Sequence, residues 1–177
     1  RFGIASGTKG FTAAAVLNLV GSGRISLDAP MAEYIPGVFP RFSPSITVRH
    51  LLTHTSGVPD YCDEEAGCDF EALWVDRPVY TMRNIEDFLP LFAAEPMKFE
   101  PGTRFSYSNS GFLILGLIIE RVTGRRYVDH VTEEVFERME MTSSGFFAAD
   151  MLPPNTATGY LAVGDSFRSN IFSIPVI

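Results

Sequence analysis

Lysine occurs only twice in these 177 residues, at Lys9 and Lys98, cysteine twice and tryptophan once. Two cysteines cannot build a zinc site alone. Cys62 and Cys68, in an acidic loop, fit a local disulfide and a pair of free thiols equally well, and an oxidised pair would favour an exported protein. Positive charge is short as well. Lys+Arg 14 against Asp+Glu 21 leaves a net charge of −7, the wrong sign for a nucleic-acid or anionic-membrane binder. Long apolar runs are missing: Phe112 to Ile119 stops at Glu120, far short of the roughly 20 residues of a membrane span. No Gly-X-Y period, heptad seam or internal repeat is present. What remains is an ordinary globular composition, 46% hydrophobic and 12% aromatic, enough for one sizeable core or two small ones.

The ends carry no initiator Met and no leader pattern, and nothing in the chain fixes a compartment. It opens on Arg1-Phe2-Gly3-Ile4 and closes on the apolar Ser173-Ile174-Pro175-Val176-Ile177, so an internal piece of a longer protein is expected. Between them the pattern is mostly helical. Phe11, Ala14, Ala15 and Leu19 recur at helical spacing over Thr8 to Val20, with Gly21 and Gly23 placed for a left-handed cap. A short helix is expected over Val48 to Thr53. Another is expected over Ile85 to Ala94, capped by Asn84 and kinked or shortened by Pro90. Arg104 to Tyr107 reads as extended, Ser110 to Val122 as a strongly apolar helix closed by Gly124, and Tyr127 to Met139 as an amphipathic helix. A hairpin is expected around Gly164-Asp165.

Three groups of residues can carry chemistry. In Ser6-Gly7-Thr8-Lys9 the hydroxyl and the amine are three apart, hence neighbours on a helix. The helix N-terminus would add N–H groups and positive dipole to favour an oxyanion. A lysine can activate a serine where burial or a neighbouring cation pulls an amine below its ordinary pKa of ~10.4. The same residues also fit an N-cap and a solvated surface charge. In Tyr107-Ser108-Asn109 the i, i+2 spacing turns a phenol and an amide to one side of an extended chain. There they can shuttle a proton and hold a carbonyl. The alternative is a core tyrosine followed by a helix-capping Asn109. His50 and His54 stand four apart, but Leu51 sits where a zincin carries its glutamate and no third ligand is evident. They are expected to close a helix end and bond to backbone. No Gly-x-Ser-x-Gly elbow exists, so an α/β-hydrolase is not supported.

Four stretches in this order resemble the serine β-lactamase and penicillin-binding-protein superfamily, in its class C-type branch of esterases and D-peptidases. They are Ile4-Ala5-Ser6-Gly7-Thr8-Lys9 with Phe11-Thr12-Ala13, and Arg49-His50-Leu51-Leu52-Thr53-His54-Thr55-Ser56-Gly57. Then follow Phe99-Glu100-Pro101-Gly102 through Tyr107-Ser108-Asn109-Ser110-Gly111, and Leu115-Gly116 through Glu120-Arg121-Val122-Thr123-Gly124. The likeness covers nearly the whole chain.

The resemblance implies a β-lactamase/transpeptidase-like fold, an α/β sandwich domain with an inserted all-α domain, of which this mainly helical portion is part. Residues 1–30 would be the nucleophile helix of the sandwich domain, 31–160 the inserted helical domain, and 161–177 the return towards the sheet. It implies Ser6 as acyl-accepting nucleophile with one oxyanion donor from its own N–H, Lys9 as activator, Tyr107 as proton shuttle and Asn109 as contact to the substrate amide. No cofactor or metal is implied. The implied partner is a small-molecule or peptide substrate with an amide, lactam or ester carbonyl. The family's third motif, a Lys or His followed by a small residue and Gly, is absent together with the strand of the second oxyanion donor, and both are expected beyond Ile177. Gly7 and Gly10 flank the Ser–Lys pair where bulkier residues are common, which predicts a looser first turn. The competing reading is a family member without turnover that binds peptides or cell-wall fragments.

Overall fold

The computed structural model describes residues 1–70, 72–75, 77–148 and 150–170, so the apolar end at Ser173 to Ile177 lies outside the described residues. Among these the fold is carried by helices α1 (Thr8–Gly21), α2 (Val48–Leu52), α3 (Asn109–Thr123) and α4 (Tyr127–Val131), joined by long segments with short 3-10 turns. A hairpin follows, β1 (Tyr160–Val163) antiparallel to β2 (Ser166–Ser169). Its register pairs Val163 with Ser166 across the predicted Gly164-Asp165 turn.

α3 is the centre of the molecule because its sequence is apolar on nearly every side, which only a buried helix tolerates. Ile114, Leu115, Ile118 and Ile119 are fully buried, each such side chain contributing about 1.5–3 kcal/mol relative to exposure. α1, α2 and α4 pack around it. A Cβ on Gly116 would lie 2.5 Å from Ile85 Cδ1, so glycine lets the 85–91 segment close on the helix. α3 starts one residue earlier than expected, its N-cap being Ser108, whose hydroxyl accepts the Gly111 N–H at 3.0 Å, and Gly124 ends it.

α1 runs over the expected residues, but its buried face is Thr12, Ala15, Val16 and Leu19. Ala14 is exposed and Phe11 only partly buried, because Thr12 turns inward to share a 2.8 Å hydrogen bond with the buried Tyr127 hydroxyl of α4. The segment expected as one helix from Tyr127 to Met139 is α-helical only to Val131 and then widens to a π-helix over Thr132–Glu137. There the Thr132 hydroxyl donates back to the Val128 carbonyl at 2.7 Å, competing with the regular ladder. The segment after Asn84 is a 3-10 helix, Ile85–Leu91, shortened at Pro90 as expected. Its start is held by Asp87, whose carboxylate accepts the N–H groups of Arg83 and Asn84, both at 2.8 Å.

Aromatic rings fill a further part of the core. Phe39, Phe42 and Phe92 stack with centroids 5.0 to 6.5 Å apart, and Tyr61 leans on Phe88 at 5.5 Å. Cys62 and Cys68 are joined as a disulfide, which resolves the alternative their spacing left open. No helix among the described residues is long and apolar enough to cross a membrane.

Candidate active site

Ser6 sits in a 3-10 turn, Ala5–Gly7, that runs directly into α1. In a 3-10 turn the side chains at i and i+3 eclipse, which aligns Ser6 with Lys9 more closely than an α-helix would. Ala5, just before it, has φ +44, a left-handed conformation costly for a residue with a Cβ and of the kind that clusters at functional sites. The N-cap of α1 is Gly7 and not Ser6. The Ser6 hydroxyl is therefore free for other partners.

Two arrive. Lys9 Nζ donates to Ser6 Oγ at 3.1 Å and the Tyr107 hydroxyl donates to the same oxygen at 2.7 Å. Lys9 is no solvated surface charge, because its amine also donates to Asn109 Oδ1 at 2.7 Å and lies 4.8 Å from the centre of the Tyr107 ring. Tyr107 and Asn109 face the same side because Ser108 between them is extended, at φ −144 and ψ 119, before α3 begins. Asn109 is not the cap of α3, since Ser108 has taken that role, and its amide is thereby released to reach α1. The four residues singled out from the sequence, Ser6, Lys9, Tyr107 and Asn109, thus converge, with bonds that span up to 101 positions of chain.

Of the two histidines four apart, His54 braces the group while His50 caps the start of α2. His50 Nδ1 accepts the Thr47 N–H at 3.3 Å, and His54 Nδ1 accepts the Ser108 N–H at 3.1 Å, so both bond to backbone as expected. His54 does more. Its ring lies 4.5 Å from the Tyr107 ring and 5.1 Å from Phe112, walling the phenol on one side. Burial, aided by the charge of Lys9, holds the His54 pKa below its ordinary value, which keeps it neutral as the Ser108 bond requires. The other lysine is structural. Lys98 Nζ meets Asp63 at 2.7 Å and Ser106 Oγ at 2.5 Å, tying the segment that bears Tyr107 to the disulfide loop and drawing the Asp63 pKa down.

Asp60 escaped the sequence reading. Its Oδ2 accepts from Asn109 Nδ2 at 3.0 Å, and its Oδ1 accepts from the Ser110 N–H at 2.8 Å and the Ser110 hydroxyl at 3.1 Å. Its one local signal was its place three residues beyond Gly57, where a stretch already singled out ends. Among the described residues no three His, Cys, Asp or Glu side chains converge as a metal ion would need.

A serine flanked by an amine and a phenol, with an amide beside them, can give up its proton, add to a carbonyl and protonate a leaving group. The chain is similar to known proteins over most of its length. It is 35% identical to an esterase, EstB, from Burkholderia gladioli over 84% of this chain and 39% of that protein. A penicillin-binding protein from Bacillus halodurans superposes with a TM-score of 0.90 at 50% identity, covering 97% of this chain and 52% of that one. A D-stereospecific amidohydrolase from Streptomyces superposes at 0.78 and 30% identity, covering 96% and 52%. The chain therefore spans about half the length, or less, of these relatives, and its fold is the mainly helical part of a β-lactamase/transpeptidase-like architecture. The Beta-lactamase family profile matches residues 1–174, and with the Ser6–Lys9–Tyr107 grouping in place the chain belongs to that family.

Proposed function

We propose that this chain carries the nucleophile side of a serine hydrolase that works through an acyl-enzyme on an amide, lactam or ester carbonyl. The observation that carries the reading is Ser6 Oγ held between Lys9 Nζ at 3.1 Å and the Tyr107 hydroxyl at 2.7 Å. Ser6 Oγ bonds to the carbonyl carbon and its proton passes to Lys9. Tyr107 gives its own proton to the departing nitrogen or oxygen as the carbon–leaving-group bond breaks, and the proton on Lys9 then restores the phenol. Water repeats the sequence in reverse and frees the acyl group. Asn109 holds the substrate amide, and the Ser6 N–H donates to the oxyanion. A positioned acid–base group contributes about 10²–10⁴-fold and one oxyanion donor about 10²–10³-fold. Residues 1–30 belong in this reading to the sandwich domain, 31–160 to the inserted helical domain and 161–177 to the return towards the sheet.

The experiment is an intact-mass spectrum of the full-length protein before and after incubation with a β-lactam and with a fluorophosphonate. The expected result is one added acyl or phosphonyl mass mapping to Ser6 and lost in Ser6→Ala. Undiminished labelling of Ser6→Ala removes Ser6 from the mechanism. A folded full-length protein that takes up neither probe is instead a module that binds peptides or cell-wall fragments.

A further inference from the structure

We infer that Asp60 is a positioning residue for the proposed reaction, fixing which end of the Asn109 amide faces Lys9. The inference rests on the hydrolase reading above and adds to it a residue outside the nucleophile group. An asparagine amide has two ends of opposite character, and a half-turn about its terminal bond exchanges them. Here both neighbours are one-sided. A carboxylate only accepts, so Asp60 Oδ2 can face only the NH₂ end, at 3.0 Å. A lysine side chain donates, and the C=O end lies 2.7 Å from Lys9 Nζ. Turning the amide would set oxygen against carboxylate and NH₂ against amine, losing both bonds together.

Asp60 can impose this order because it is itself immobilised. Its Oδ1 takes the N–H and hydroxyl of Ser110 and the N–H of Tyr61, at 2.8, 3.1 and 3.0 Å. Ser110 is fully buried, and its hydroxyl oxygen also accepts the Tyr61 N–H at 2.9 Å. The chain on either side of Asp60 is pinned. Gly57 has φ +71 and approaches Phe99 so closely that a Cβ would lie 2.1 Å from its carbonyl oxygen, while Cys62 is held in the disulfide to Cys68. With three donors on Oδ1, the carboxylate is a strut between the 57–62 segment and the first turn of α3, and it presents its remaining oxygen to Asn109. Because the Asn109 oxygen is neutral, it holds the amine of Lys9 in place beside Ser6 without adding a negative charge there.

The test measures fluorophosphonate inactivation of the full-length protein for wild type, Asp60→Asn, Asn109→Ala and the double variant, separating kinact from KI. Asp60→Asn is expected to lower kinact about 10- to 100-fold, the span of one charge-assisted hydrogen bond, with KI unchanged. In the Asn109→Ala background the same change is expected to have no further effect, because the amide through which Asp60 acts is gone. An equal factor in both backgrounds, or a wild-type kinact in Asp60→Asn, overturns the inference. Should Asp60→Asn fail to fold, Asp60→Glu, which keeps the charge and shifts it by a methylene, takes its place in the same cycle with the same two outcomes. Ser6→Ala run alongside keeps the two ideas apart. Labelling that survives in Ser6→Ala defeats the hydrolase reading, whereas labelling lost there but untouched by Asp60 changes defeats only the role of Asp60.

Discussion

The two ends of α1 both meet buried polar groups and treat them in opposite ways. At the N-terminal end, Ser6 and Lys9 enter a chain of hydrogen bonds running through Asn109 to Asp60 and Ser110, with donor matched to acceptor at each step. About 20 Å away at a rise of 1.5 Å per residue, the C-terminal end borders a cavity of about 260 Å³ lined by Ser22, Arg24, Arg125, His130 and Arg138 among others. His130 is buried there, and neither of its ring nitrogens has a hydrogen-bond partner among the described residues. An unsatisfied buried polar group costs about 1–3 kcal/mol, whereas a satisfied network holds side chains in one arrangement. The lesson is that burial alone does not build a site. Matched donors and acceptors do: at the C-terminal end Arg24, Arg125 and Arg138 have partners in Val122, Glu133 and Glu134, but His130 has none among the described residues.

The largest effect that would break this contrast is expected from Gly57→Ala. The added methyl would strike the Phe99 carbonyl in a φ +71 backbone, so unfolding in denaturant should show a loss of about 3 kcal/mol. The segment carrying Asp60 should shift with it, degrading the ordered end. A midpoint equal to wild type would mean that this close approach does not constrain the loop.

His130→Leu should move the other end the opposite way, raising stability by about 1 kcal/mol by removing two unpartnered nitrogens. The same variant has a pH signature. Burial, with Arg125 and Arg24 against Glu134 and Glu133, holds the His130 pKa below its ordinary value. The unfolded chain therefore binds a proton first as pH falls, and the wild type loses stability below pH ~6.5, down towards the folded-state pKa. In His130→Leu that acid loss should shrink. It should not vanish, because His54 is shifted in the same direction. Thermal melts between pH 7.5 and 5 read both effects, and identical slopes for the two proteins would dismiss His130 as the source.

The smallest effect is expected at Gly10, on the helix between the two ends. A Cβ there would meet nothing within 4 Å, so Gly10→Ala should stabilise α1 by about 0.5 kcal/mol, a rise in Tm of roughly 1–2 °C. A fall in Tm would show that the glycine answers a need other than room.

Much of this was legible in the chain because it depends on short spacings. The i, i+3 relation of Ser6 and Lys9 and the i, i+2 relation of Tyr107 and Asn109 are consequences of backbone geometry, as are the extents of α1 and α3 and the turn at Gly164-Asp165. Where local rules competed, the reading slipped. Asn109 and Ser108 are both good caps, and only the fold shows that Ser108 takes the Gly111 N–H. The Thr132 back-bond widened a helix whose periodicity looked regular. Ala14 and Thr12 exchanged places because a hydroxyl on another helix made burial of Thr12 favourable.

Sequence by itself therefore determined the extents of α1 and α3, the acidic net charge and the identity of the four residues that converge on one point. The tertiary structure alone decided that Cys62 pairs with Cys68, that His54 walls Tyr107, that His130 has no hydrogen-bond partner among the described residues, and that Asp60 faces Asn109 across 49 positions of chain. The physical reason is range. A local spacing fixes direction through the stereochemistry of a few peptide units, but a hydrogen bond between distant segments exists only after the core around α3 has packed and fixed their separation.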